Sequence, residues 1–216
     1  IVDLNLVEDD EHEKVRKWWQ ENRMPIISGV VLGLSIIVGF NWWGEYKTGR
    51  AESASMLYMD LLKNDAETSK VSITAMDVGQ KIIDEYHDTP YAGKAALIVA
   101  RIAYDNKDIE EAKAKLNWAI DHSDQFETVH AARLRLANIL MVEKKFNEAL
   151  DLLSVEHMEG FESHYFEMRG DIFLKLEQPA KARDAYRAAI DGLSAGSMYE
   201  PILKMKMDAI AAGSKS

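Results

Sequence analysis

AYDNKDIEEAKAKLNWAI (103–120), LMVEKKFNEALDLLSVE (140–156) and FLKLEQPAKARDAYRAAI (173–190) are one pattern written three times. Each passes from the apolar end of one helix through a short polar turn into a second helix, with a small residue about four positions in. Aligning Ala112, Ala149 and Ala182 gives spacings of 37 and 33 residues. The register extends both ways. Ile109, Phe146 and Pro179 stand three residues before the alanines, and Leu116, Leu153 and Tyr186 four after them. Three further on come Ala119, Glu156 and Ala189, so Glu156 breaks the series. In the preceding helix the small position holds Ala100, Ala137 and Gly170. Small residues let paired helices cross closely while larger ones fill the holes between them.

A hairpin period near 34 residues is that of tetratricopeptide-like repeats; the competing reading is an unrelated helical bundle. The tryptophan of the full repeat pattern is absent from all three copies. From Ala51 onward the hydrophobic spacing is helical almost throughout. It predicts helices near 51–63, 72–86, 90–105, 108–121, 126–143, 145–154, 160–176, 179–192 and 199–211. Thr89 before Pro90 reads as an N-cap with proline at the first helical position, Asp108 before Glu111 as a second cap, and Gly192 as a helix end. No strand-like alternation occurs. The expected fold is all-α: a single N-terminal transmembrane helix, then a right-handed tetratricopeptide-like solenoid of helical hairpins with a C-terminal capping helix.

The membrane helix rests on MPIISGVVLGLSIIVGFNWWG (24–44), which has no ionisable side chain in 21 residues. A helix of about 20 apolar residues crosses the hydrocarbon core. Trp42 and Trp43 close one end and Trp18 and Trp19 lie just beyond the other, as suits the two interfaces. A cleaved leader would have a shorter apolar run and a small-residue cleavage site, so the segment reads as a signal anchor. Lys14, Arg16, Lys17 and Arg23 flank it on the N-terminal side against Lys47 and Arg50 on the other, which places the N-terminus in the cytoplasm. The expected organisation is a cytoplasmic tail (1–23), a transmembrane helix (24–44) and a repeat domain (45–216) on the far side of the membrane, which is the periplasm if the source is a Gram-negative bacterium. Within the tail, 1–10 lacks periodicity and is expected to be disordered, while Glu11–Asn22 reads as a short amphipathic helix. Gly29 and Gly33, with Ser35 and Gly39, have the small-xxx-small spacing that permits a helix–helix contact in the membrane.

Composition narrows the function. Thirty-six acidic residues against 26 basic ones, net charge −10, argue against nucleic acid as a partner. With no cysteine there is no disulfide, thiolate metal site or cysteine nucleophile; that suits an oxidising compartment without fixing it. The six histidines, His12, His87, His122, His130, His157 and His164, form no metal-ligand spacing. No phosphate-binding loop or nucleophile elbow occurs. No catalytic residue, metal or cofactor is expected.

In such repeats the first helix of each hairpin lines a binding groove. Helical spacing puts Lys94, Arg101 and Tyr104 there from one hairpin. The next supplies Arg135, Asn138 and Met141, and the third His164, Asp171 and Lys175. Polar, aromatic and methionine side chains suit contact with an extended or unfolded polypeptide. The alternative, left open by the sequence, is that the closing helix 199–211 partly fills the groove.

The chain resembles the YfgM family, ancillary subunits of the SecYEG translocon. The likeness is carried by VRKWWQENR (15–23), VVLGLSIIVGFNWW (30–43), RAESASMLY (50–58), TPYAGKAALIVARIAYDNKDIEEAKAKL (89–116), RGDIFLKLEQPAKARDAYRAAI (169–190) and ILKMKMDAI (202–210), in that order over nearly the whole chain. The resemblance implies a bacterial inner-membrane protein with its repeat domain in the periplasm, associated with the translocon and with the periplasmic chaperone PpiD. It also implies passage of translocating polypeptides to periplasmic chaperones, and no catalytic residues. A second role it implies is restraint of a stress-response regulator by the cytoplasmic tail. Deleting residues 1–13 separates the two: an adaptor keeps its membrane partners, a restraining tail loses its client.

Overall fold

The computed structural model describes residues 4–66, 72–158 and 160–213, and every regular element among them is an α-helix. In chain order these are α1 (Leu4–Ala66), α2 (Ser72–Glu85), α3 (Pro90–Asp105), α4 (Ile109–His122) and α5 (Phe126–Val142). There follow α6 (Phe146–Leu152), α7 (Glu162–Lys175), α8 (Pro179–Asp191) and α9 (Glu200–Gly213). Contacts divide the chain into Ile1–Arg50 and Ala51–Ser216.

The second unit repeats at the level of single backbone angles. Among the described residues, three that are not glycine have a left-handed backbone: Lys107, Lys144 and Glu177, with φ of 68°, 61° and 57°. Each lies five residues before an aligned alanine. At each turn the following N–H donates back across the helix end: Asp108 to the Ala103 carbonyl at 2.9 Å, Lys145 to Leu140 at 2.8 Å, and Gln178 to Phe173 at 2.9 Å. This is the Schellman closure, which satisfies carbonyls that a helix end leaves open. Glycine usually takes that position, so the lysines and glutamate hid the left-handed backbone of these turns, though not the turns themselves, from a sequence reading. Ile109, Phe146 and Pro179 are each the first residue of a second helix, as their common register predicts.

The small positions are closed in the same way. Ala112, Ala149 and Ala182 are fully buried, with Leu116, Leu153 and Tyr186 beside them at 2% exposure or less. Glu156 falls outside α6, which ends at Leu152 rather than near residue 154 as expected. The middle hairpin has no second alanine because its second helix stops before that turn. Thr89 is the N-cap residue and Pro90 opens α3, but the Thr89 hydroxyl donates to the Tyr86 carbonyl at 2.7 Å rather than capping the helix. Asp108 does cap, its carboxylate accepting the Glu111 N–H at 3.1 Å. Gly192 ends α8 with an ordinary negative φ. Its role is close approach, since a Cβ there would stand 3.0 Å from Glu162 Cβ.

The sequence predicts a tail, a membrane helix and a separate helix from residue 51, whereas α1 is continuous from Leu4 to Ala66. Lengthening a nucleated helix gains one hydrogen bond per residue fixed, and Gly44 and Gly49 each cost only about 1 kcal/mol against that. The disorder expected over 1–10 therefore gives way to helix from Leu4; residues 1–3 lie outside the described residues. Pro25 sits inside α1, and the Ser28 hydroxyl donates to its carbonyl at 2.9 Å. By length and composition this helix can cross a membrane, with a most apolar stretch of mean hydropathy 1.9 and none of it buried.

Candidate partner-binding face

From Ala51 on, the first helices of successive hairpins lie side by side. Tyr58 of α1 meets Tyr91 of α3 with ring centroids 5.5 Å apart. Helix α3 touches α5 and α5 touches α7. The buried His130 of α5 faces the Tyr165 hydroxyl of α7, Nδ1 to oxygen 2.7 Å. The row then continues to α9, whose Lys206 Nζ reaches Glu167 at 2.8 Å and Asp171 at 2.9 Å on α7.

Arg101 and Arg135 stand on adjacent first helices but in different company. Arg101 is ion-paired with Asp65 at the end of α1 and with Asp105 at 3.1 Å one turn along α3. Arg135 has no carboxylate among the described residues. Its Nη1 donates to the Leu97 carbonyl of α3 at 3.3 Å. Loss of solvent lowers the Arg135 pKa, and the like charge of Arg101 lowers it further. One turn from Leu97, Lys94 lies 6.0 Å over the ring of Tyr91, also without a carboxylate partner among the described residues. Tyr104 and Met141 pack against the edge of the core, and Asn138 is exposed.

The third hairpin is occupied differently. Asp171 accepts from the Tyr186 hydroxyl at 2.6 Å as well as from Lys206. His164 stacks on Tyr199, just before α9, at 6.5 Å between centroids. Lys175 is exposed in the last turn of α7. Another hollow, of about 640 Å³, opens between α4, α5 and α6, but its lysines are neutralised. Lys113 bridges Glu110 and Glu143, and Lys145 also binds Glu143. In the first unit a Cβ on Gly29, Gly33 or Gly39 would have no atom within 4 Å. No group of three acidic or histidine side chains that could hold a metal occurs among the described residues.

A family model described as a tetratricopeptide repeat-like domain matches residues 16–212. The chain belongs to that family. Among its curated relatives, the ancillary SecYEG translocon subunit of Escherichia coli K12 is 26% identical over 93% of this chain and 95% of its own length. The protein of the same name from Haemophilus influenzae is 24% identical over 94% and 98%. That from Neisseria gonorrhoeae is 20% identical over 95% and 98%. The resemblance read from the sequence is borne out. Within this tetratricopeptide repeat-like chain, sequence reasoning passed over Asp65, the Leu97 carbonyl and Lys206. Only Lys206 left a signal, as a cation inside the buried stripe Leu203–Met207–Ile210 of α9.

Proposed function

We propose that this chain is a non-catalytic ancillary subunit of the SecYEG translocon, anchored by α1 in a bacterial inner membrane. The tail lies in the cytoplasm and the repeats, a right-handed solenoid closed by α9, in the periplasm. There the first-helix face receives translocating polypeptides and passes them to periplasmic chaperones, PpiD among them. The observation that carries this reading is that relatives bearing that one name align with 93–95% of the chain, apolar helix and repeats included. The excess of Lys and Arg on the N-terminal flank supports the orientation. The row of first helices supports an adaptor, because repeats of this kind offer extended surfaces rather than enclosed pockets. The test is co-purification of the full-length chain from detergent-solubilised membranes. SecYEG is expected with it, also after deletion of residues 1–13. Recovery without SecYEG defeats the reading.

A further inference from the structure

We infer that Arg135, with Lys94 one helical turn from the Leu97 carbonyl it touches, is the seat for a carboxylate of the bound segment, so that the first-helix face prefers extended peptides carrying an acidic residue between apolar ones. This deepens the adaptor reading above and rests on it.

Three cations line this part of the face in a chain of net charge −10, and their pairing is unequal. Arg101 holds two carboxylates of the chain itself, Asp65 and Asp105. Among the described residues Arg135 has only the Leu97 carbonyl, at 3.3 Å, which uses one of five N–H donors. Lys94 reaches only the face of Tyr91 among the described residues. An acceptor-only group docking here meets a guanidinium fork that fits a carboxylate with two parallel hydrogen bonds. It also relieves the repulsion of Arg101, which depresses the Arg135 pKa after the larger effect of lost solvent. Tyr104 and Met141, partly buried at the ends of α3 and α5, offer the apolar neighbours. A peptide is favoured over an anionic lipid because the cations and apolar groups are spread along successive helices, matching a chain with alternating side chains rather than a single headgroup.

The experiment uses the full chain in nanodiscs of phosphatidylcholine and two fluorescein-labelled peptides of leucine, methionine and serine, one with a central glutamate and one with glutamine in its place. The wild type is expected to bind the glutamate peptide about tenfold more tightly, a preference that shrinks with added salt. Arg135→Gln should bring the two affinities together, Arg135→Lys should keep part of the preference, and Lys94→Gln should reduce it less. Arg187→Gln, an exposed arginine on α8, should leave it intact. Helicity and melting of each variant are followed alongside, and Arg135→Lys decides the matter if Arg135→Gln loses its fold. A wild type that does not distinguish the peptides, or a preference that survives Arg135→Gln, overturns the inference. So does displacement of the peptide by phosphatidylglycerol vesicles from the wild type but not from Arg135→Lys, which would make the seat a lipid phosphate site. None of these outcomes touches co-purification with SecYEG, so the adaptor reading stands or falls separately.

Discussion

A Cβ placed on Gly170 would stand 2.7 Å from Cε1 of Tyr186, where α7 and α8 pack together in the last hairpin. The ring cannot yield, because Tyr186 is fully buried and its hydroxyl is held by Asp171 at 2.6 Å. Gly170→Ala gains about 1 kcal/mol of helix propensity, but overpacking costs about 1–3 kcal/mol. The variant is expected to melt at a lower temperature than the wild type by circular dichroism. An unchanged or higher melting temperature would show that α7 and α8 can part without cost.

Lys144 is strained at the turn of the middle hairpin, with φ of 61° and an exposed side chain. A left-handed backbone costs a residue with a Cβ about 1–2 kcal/mol, while glycine returns about 0.5–1 kcal/mol through its freer unfolded chain. Lys144→Gly should therefore stabilise the repeat domain by up to about 1 kcal/mol, or roughly 2–4 °C in melting temperature for a domain of this size. Destabilisation would mean that the lysine side chain contributes more than its backbone strain costs.

The repeats were legible because their signals are local. Small residues at Ala100, Ala112 and their equivalents, and the three-residue turn between the two helices of each of these hairpins, recur in the sequence itself. What stayed hidden depends on contacts between distant residues. Arg101 and Arg135 look alike in sequence and occupy equivalent helices, yet Asp65, 36 positions from Arg101, neutralises one and not the other. The early end of α6 left only Glu156 as its trace, and that residue reads equally well as an irregular repeat. The continuity of α1 was obscured by the change from polar to apolar to amphipathic composition, which alters the surroundings of a helix without breaking it.

Alkaline pH should loosen the C-terminal end of the domain. Burial alone would lower the Lys206 pKa, but its hydrogen bonds to Glu167 and Asp171 outweigh that and hold it above 10.5. Burial first, then the hydrogen bonds to Asp171 and Glu167, raises Tyr186 and Tyr199 above 10.0. All three values are raised on folding, so their contribution is complete below the unfolded values and is lost as pH climbs past about 10 and through the folded values. Stability measured by urea unfolding should be level up to about pH 9 and fall above it. Tyr186→Phe should show a shallower fall. A fall equally steep in Tyr186→Phe would place the alkaline sensitivity elsewhere.

Orientation can be read with one introduced thiol, because the chain has no cysteine of its own. In intact spheroplasts a membrane-impermeant maleimide should label Ser55→Cys and leave Gln20→Cys unlabelled until the membrane is opened. The reverse pattern would place the repeats in the cytoplasm.

The central claim is that the first-helix face receives a polypeptide at the translocon. A photo-crosslinking residue at Asn138, exposed on α5 between Arg135 and Met141, tests it most directly, with Asn117, exposed on α4, as the comparison. With a secretory precursor arrested in SecYEG, illumination should join the precursor to position 138 and not to position 117. Crosslinks at 117 alone, or at neither position while the full chain still co-purifies with SecYEG, would contradict the account.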